Sequence, residues 1–219
     1  MALRGIKFGQ FHTGEDWGLT MNEKNVAPPV PKTNYVSVPG RDGDLDLSEA
    51  VSGEVNYMDR AASFTFILTE GTHADRTELL TKIIGAIHGK KLEIYDEDDY
   101  PGYYMIGRLS VTETSLNGAY GVVKVAAVCQ PWRYASAHKV ERVTVNATSK
   151  TVRLCNDGYK TAAPVITVTG SVVITVGSTS YTLTTGSYIL PGLRIPRGVT
   201  KVTVTGTGSV SFDFQEAIF

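Results

Sequence analysis

The chain has 219 residues, 42% of them hydrophobic and 20% charged, and a net charge of −1. That length supports one large domain or two small ones, and near-neutrality argues against a general nucleic-acid binder. Cys129 and Cys155 lack the close spacing of a metal-binding pair and are too few for a disulfide scaffold, so buried free thiols are expected. No apolar run reaches membrane-spanning length and the first residues lack a signal-peptide core, so a soluble protein made in the cytoplasm is expected. The charge is uneven: residues 1–138 carry 13 Lys and Arg against 18 Asp and Glu, residues 139–219 carry 8 against 4. Two modules with different surfaces would produce this contrast, as would ordinary scatter on solvated faces.

In chain order, Ile6-Lys7-Phe8 reads as a short strand and Trp17 to Met21 as another. Residues 22–34 hold Pro28, Pro29 and Pro31, which fix φ and remove backbone donors. An exposed arm or extended linker is expected there, not a helix or a central strand. Two short apolar runs then flank Pro39-Gly40-Arg41-Asp42-Gly43, a two-glycine turn between extended segments. Phe64 to Leu68 is a β-branched and aromatic strand.

From Thr72 to His88 the stripe Leu79, Leu80, Ile83, Ile84 and Ile87 has helical periodicity, with Thr72 and Asp75 as a capping box and Gly89 as the stop. This helix packs on the first domain's sheet. Leu92 to Tyr95 is a strand leading into Asp96-Glu97-Asp98-Asp99. Adjacent strand residues point to opposite faces, so these acids fit a solvated hairpin tip before Tyr100-Pro101-Gly102 better than a cation site. Tyr103 to Thr114 and Tyr120 to Val128 are hairpin strands joined across Asn117-Gly118. Pro131 and the small residues Ala135-Ser136-Ala137 break the pattern and place a boundary between domains 1–135 and 139–219.

Beyond residue 139 period-2 alternation takes over, as in Ile166/Val168, Val172/Ile174/Val176, Val202/Val204 and Val210/Phe212/Phe214. Turn residues intervene at Asn156-Asp157-Gly158, Gly177-Ser178, Pro191-Gly192, Arg197-Gly198 and Gly206-Thr207-Gly208. Short alternating strands at this spacing mean a sandwich or barrel. From Thr161 to Leu193 there is no charged residue, and Thr and Ser fill the polar positions.

Nothing in the chain spells a catalytic motif. His12, His73, His88 and His138 are scattered, and no Gly-x-Ser-x-Gly, phosphate loop or dinucleotide fingerprint occurs. No enzyme activity, metal or cofactor is expected. Trp17 and Trp132 suit either a core or an interface.

One set of segments carries a resemblance. Phe8-Gly9, Asp16-Trp17-Gly18-Leu19, the Asn34–Arg60 stretch around Pro39-Gly40-Arg41-Asp42-Gly43, Gly53 to Tyr57, Gly107-Arg108 and Pro131-Trp132-Arg133 occur in an order and spacing that resembles the distal tail proteins of long-tailed bacteriophages and prophages. The resemblance covers Ile6 to Arg133 and, more loosely, Leu154 to Gly170 through Asn156, Gly158, Pro164 and Gly170. It implies a mainly β protein with one helix, built from an N-terminal ring-forming domain and a C-terminal galectin-like β-sandwich. It also implies a homo-hexameric ring at the virion tail tip, assembled in the bacterial cytoplasm. Such a ring joins the tail tube protein to the tail-associated hub protein and receptor-binding protein, passes DNA through its channel, and inserts into no membrane. The residues it marks for the ring interface are Tyr35, Pro39, Gly40, Arg41, Asp42, Gly43, Tyr57 and Arg60. Two alternatives are a carbohydrate-binding module, with Tyr159, Tyr181 and Tyr188 as its few aromatic platforms, and a tail-tube-type ring subunit.

Overall fold

Phe64, Phe66 and Leu68 alternate with less buried neighbours along one strand, and that alternation sets which face of the first sheet is dry. The computed structural model describes residues 5–117 and 119–219 and is mainly β with one helix. Its first strands and helix are β1 (Lys7–Phe8), β2 (Phe11–His12), β3 (Thr20–Val26), β4 (Tyr35–Val36), β5 (Leu45–Asp46), β6 (Arg60–Leu68), α1 (His73–Ile87), β7 (Lys91–Tyr95), β8 (Tyr103–Leu116) and β9 (Gly121–Ala135). There follow β10 (Lys139–Asn146), β11 (Lys150–Asn156), β12 (Val165–Val176), β13 (Thr179–Tyr188), β14 (Gly198–Phe214) and β15 (Ala217–Ile218). The chain forms two compact units, one ending at Arg133 and including Phe219, the other Tyr134–Ile218.

In the first unit the strands run in the order β2-β1-β7-β8-β9-β6-β3. Phe8, Phe64 and Phe66 meet edge-on or stacked at the centre, and Ile94, Met105, Leu109, Val123 and Val125 extend the same apolar layer. The helix packs on this layer through Leu80, Ile83 and Ile87. Ile84, expected in the stripe, is instead 39% exposed, because the buried face follows Leu80, Ile83 and Ile87, at i, i+3 and i+7. Thr72 and Asp75 form the capping box, with Asp75 N–H donating to Thr72 Oγ1 at 3.3 Å and Thr72 N–H donating to Asp75 Oδ2 at 2.9 Å. Gly89 follows the helix at φ +74°.

Three expectations need correction here. Residues 22–26 are not part of an arm: they complete β3, the edge strand that pairs with β6 from Thr20↔Ile67 to Val26↔Ala62. The prolines come only after it, at positions where no ladder bond is required. Pro131 does not end a strand, since β9 runs on to Ala135. Its pairing with β6 stops at Cys129, so a residue without an N–H costs that ladder nothing. Asp96 is not at a solvated tip, being 4% exposed and paired with Lys24 at 2.7 Å. Lys24 also reaches Asp99 at 2.6 Å, and its pKa is raised by these carboxylates against the opposing effect of burial, which is the largest single influence. Between β8 and β9, which pair, Asn117 N–H donates to Tyr120 O at 2.8 Å, and Gly118 lies outside the described residues.

The second unit is built around β14, which pairs with β12 along one side and with β11 and then β10 along the other. The hydrogen-bonded strands therefore form one five-stranded sheet that curls over its own core of Val145, Leu154, Ile166, Ile174, Val202, Val204 and Phe212. Gly206-Thr207-Gly208, expected as a turn, lies inside β14. It is a bend rather than a reversal. Gly170 of β12 faces Gly208 in register, and Gly170 and Gly206 hold φ of +101° and +107°. A Cβ on Gly170 would stand 2.5 Å from Thr207 O, so the two backbones approach here as no other residue permits. Among the buried polar groups of this unit, Asn156 donates through Nδ2 to Lys160 O and Ile195 O, at 2.9 and 2.8 Å, and accepts from Gly158 N–H at 3.0 Å.

Candidate assembly interface

Between β3 and β6 the chain leaves the sheet for 33 residues, 27–59, none of which is buried. The last bond at the root joins Ala27 N–H to Ala61 O at 3.1 Å, and Pro28, Pro29 and Pro31 then prevent the sheet ladder from continuing. The segment folds back on itself instead. Met58 N–H donates to Val30 O, Lys32 N–H to Asn56 O and Leu47 N–H to Asn34 O, each at 2.8 Å, and β4 pairs with β5 further out. At the tip Arg41 N–H donates to Val38 O at 3.2 Å, and Gly40 has φ +80°. Proline followed by a positive-φ glycine across such a bond is a type II turn. On the return strand Asp46 Oδ1 accepts from the hydroxyl and N–H of Ser48, which lower its pKa.

This arm exposes an unusual amount of apolar surface for its length. Val30 and Tyr35 are each 58% exposed, and Val36, Val38, Val51, Val55 and Met58 are exposed with them. A two-stranded ribbon without a core is marginal in water, and a run of uncovered Val, Tyr and Met marks a contact surface. The same segment carries six acids (Asp42, Asp44, Asp46, Glu49, Glu54 and Asp59) against Lys32 and Arg41. A second feature of this unit is a shallow depression of about 300 Å³ on the outer sheet face, lined by small side chains such as Ala27, Ala61, Ser63 and Ala126 beside the 62% exposed Val128.

The marked residues separate into three places. Tyr35, Pro39, Gly40, Arg41, Asp42 and Gly43 lie together on the outer arm and are all exposed. Tyr57 sits at the root, where its ring meets Trp132 edge-on at 5.3 Å and Phe219 at 5.0 Å, while Trp132 and Phe219 stack at 4.5 Å. Arg60 stands apart. It is 4% exposed on β6, opposite Cys129 in register, and so is not presented to a neighbour's surface by the fold described. Arg133, quoted in the resemblance but not marked as a site residue, is 5% exposed with its guanidinium 3.7 Å above the Tyr100 ring. A strand alternating apolar residues up to Cys129 and then placing Arg133 on the same parity was the available signal.

Burial pushes the Cys129 thiol up to about 11. Cys155 is only half-buried and within 3.5 Å of Asp157, and its pKa is raised as well, by desolvation first and then by that carboxylate. A thiol reagent applied at about pH 8, near an ordinary thiol's pKa, is expected to modify Cys155 slowly and Cys129 only after unfolding. Mass spectrometry of the labelled chain checks this, and prompt modification of Cys129 would contradict its placement. Among the described residues no three His, Cys, Asp or Glu side chains converge as metal ligands. In the second unit Tyr181 and Tyr188 pack against the core, and Arg197 covers the Tyr159 ring at 4.3 Å.

No family model matches the chain, and no curated protein does. Solved structures do match. One is the Dit protein (gp 19.1) of phage SPP1, described as a paradigm of the hub adsorption apparatus in phages infecting Gram-positive bacteria. At 15% identity the two superpose with a TM-score of 0.71 over 98% of this chain and 99% of that one. The chain has the Dit fold from end to end. The mainly β fold is thus shared with Dit at an identity where sequence alone aligns little.

Proposed function

We propose that this protein is a structural component of a phage tail tip, a distal tail hub that closes into a homo-hexameric ring. The observation that carries the reading is the coreless arm with its uncovered Val30, Tyr35, Val36 and Val38, on a chain whose fold matches Dit over its full length. Cyclic closure needs two different patches on each subunit. The arm is one. The small-residue face around Ala61, Ser63 and Ala126 is the other, because short side chains leave room for a neighbour's valines and tyrosine. In this reading Arg41 and Asp42 make directed polar contacts at the type II turn, and Tyr57 fixes the arm's departure angle through Trp132 and Phe219. The ring joins the tail tube to the tail-associated hub and receptor-binding apparatus and leaves a central channel for DNA. Division of labour follows the expected domains: residues 1–135 form the ring and 139–219 are a galectin-like β-sandwich.

Negative-stain imaging and mass photometry of the purified full chain test the proposal. Six-fold rings, single or in pairs, are expected. Long cylinders would indicate a tube subunit, and a strictly monomeric species at high micromolar concentration and low salt would overturn ring formation.

A further inference from the structure

Inside the first unit, Arg60 and Arg133 are both at least 95% buried, and among the described residues nothing accepts a hydrogen bond from Arg60 Nε, Arg60 NH2 or Arg133 Nε. A guanidinium carries five donors in a rigid fork, and burying it without acceptors is costly unless an anion joins it. The surroundings supply little. Tyr100 and Cys129 are the groups that favour the charged form of Arg60, and burial pushes the Cys129 thiol up to about 11, so it carries no charge near neutral pH. Burial and then repulsion from Arg133 lower the Arg60 pKa to about 10, which still leaves it cationic. Asp96 and Asp99 favour the charged form of Arg133, but Asp96 spends Oδ2 on Lys24 and its Oδ1 is itself unpartnered. Arg60 stands opposite Cys129 in register, and Arg133 lies four residues further along the same buried face of β9, over the half-buried Tyr100 ring, so two guanidinium groups with unused donors share that face.

We propose that Arg60 and Arg133 form an oxyanion-binding site. The fork geometry of two guanidinium groups suits a carboxylate or a phosphate, either of which accepts several N–H groups at once. The anion is a free inorganic ion, because Arg60 and Arg133 are buried and the fold presents neither to a neighbour's side chains. The inference stands apart from ring formation, since a free ion would occupy the site in a monomer.

The test follows the thermal midpoint of the full chain along two series. The first raises inorganic phosphate at constant ionic strength, balanced with chloride. The second raises protein concentration without phosphate. A group that binds only the folded state raises the midpoint as its concentration grows. Wild type is expected to gain several degrees in the phosphate series, and Arg60→Gln and Arg133→Gln to lose that gain. A gain with phosphate that both variants lose supports the site, and the protein series shows how much of any gain comes from association alone. A wild type flat in the phosphate series overturns the proposal, as does an equal response from wild type and both variants. If the glutamine variants do not fold, Arg60→Lys keeps the charge but loses the fork. Its half-saturating phosphate concentration is then expected to rise at least tenfold, and an unchanged value overturns the site.

Discussion

A triple variant carrying Tyr35→Ser, Val36→Ser and Val38→Ser is expected to abolish ring assembly while leaving the monomer's melting curve almost unchanged. All three side chains are exposed on the arm and none contributes to either core. Surface substitutions of that kind shift folding stability by about 0.5 kcal/mol or less. If the arm lies against a neighbour, each loses burial worth about 2 kcal/mol at every contact. Three together exceed the ~1.4 kcal/mol that corresponds to a tenfold change in association several times over. Mass photometry across a concentration series, run beside calorimetry, separates the two effects. Rings that persist at wild-type concentrations would show that the arm is not what closes them, even if the fold is intact.

The reverse pattern is expected for Gly170→Val, which should unfold the second unit. A valine there must adopt φ near +101° and place its Cβ about 2.5 Å from Thr207 O, a backbone atom that cannot rotate away. Strain at such a position costs about 1–3 kcal/mol before any clash is counted, and opening β12 from β14 would expose Val168, Val172 and Val210 as well. A loss of more than about 4 kcal/mol is expected, which is a large part of a small domain's stability. Circular dichroism and limited proteolysis would show cleavage within 134–218 and an intact first unit. A variant that melts like wild type would mean that the two glycines are a convenience and not a requirement.

How legible these features were depends on how local their causes are. The helix was readable because its period, its Thr72–Asp75 box and Gly89 lie within one short window. The Pro39–Gly43 turn was readable for the same reason, since proline and glycine act on their own dihedrals. The bend at Gly206 and Gly208 was not, because a glycine that permits close approach across strands has the same letter as a glycine that turns the chain. Only the pairing of Gly170 with Gly208, 38 positions apart in sequence, distinguishes them. Lys24 with Asp96 and Arg60 with Arg133 were likewise hidden by sequence separation. The arm lay between these extremes: its prolines signalled a departure from the sheet, but not that β3 would first be completed or that the return strand would pair with the outgoing one.

The kink at Gly170 also bears on solubility. Strand β13 forms one edge of the second sheet and contains no Lys, Glu, Asp or Pro, the residues that usually keep an edge from recruiting another chain. What it has instead is a break in register against β12 between Val168 and Ser171, where Thr169 and Gly170 of β12 oppose the single Thr185 of β13. Such a bulge twists the edge and interrupts its row of free backbone groups, so a straight foreign strand finds only short stretches to pair with. A Thr- and Ser-rich edge interrupted in this way can therefore do without charge.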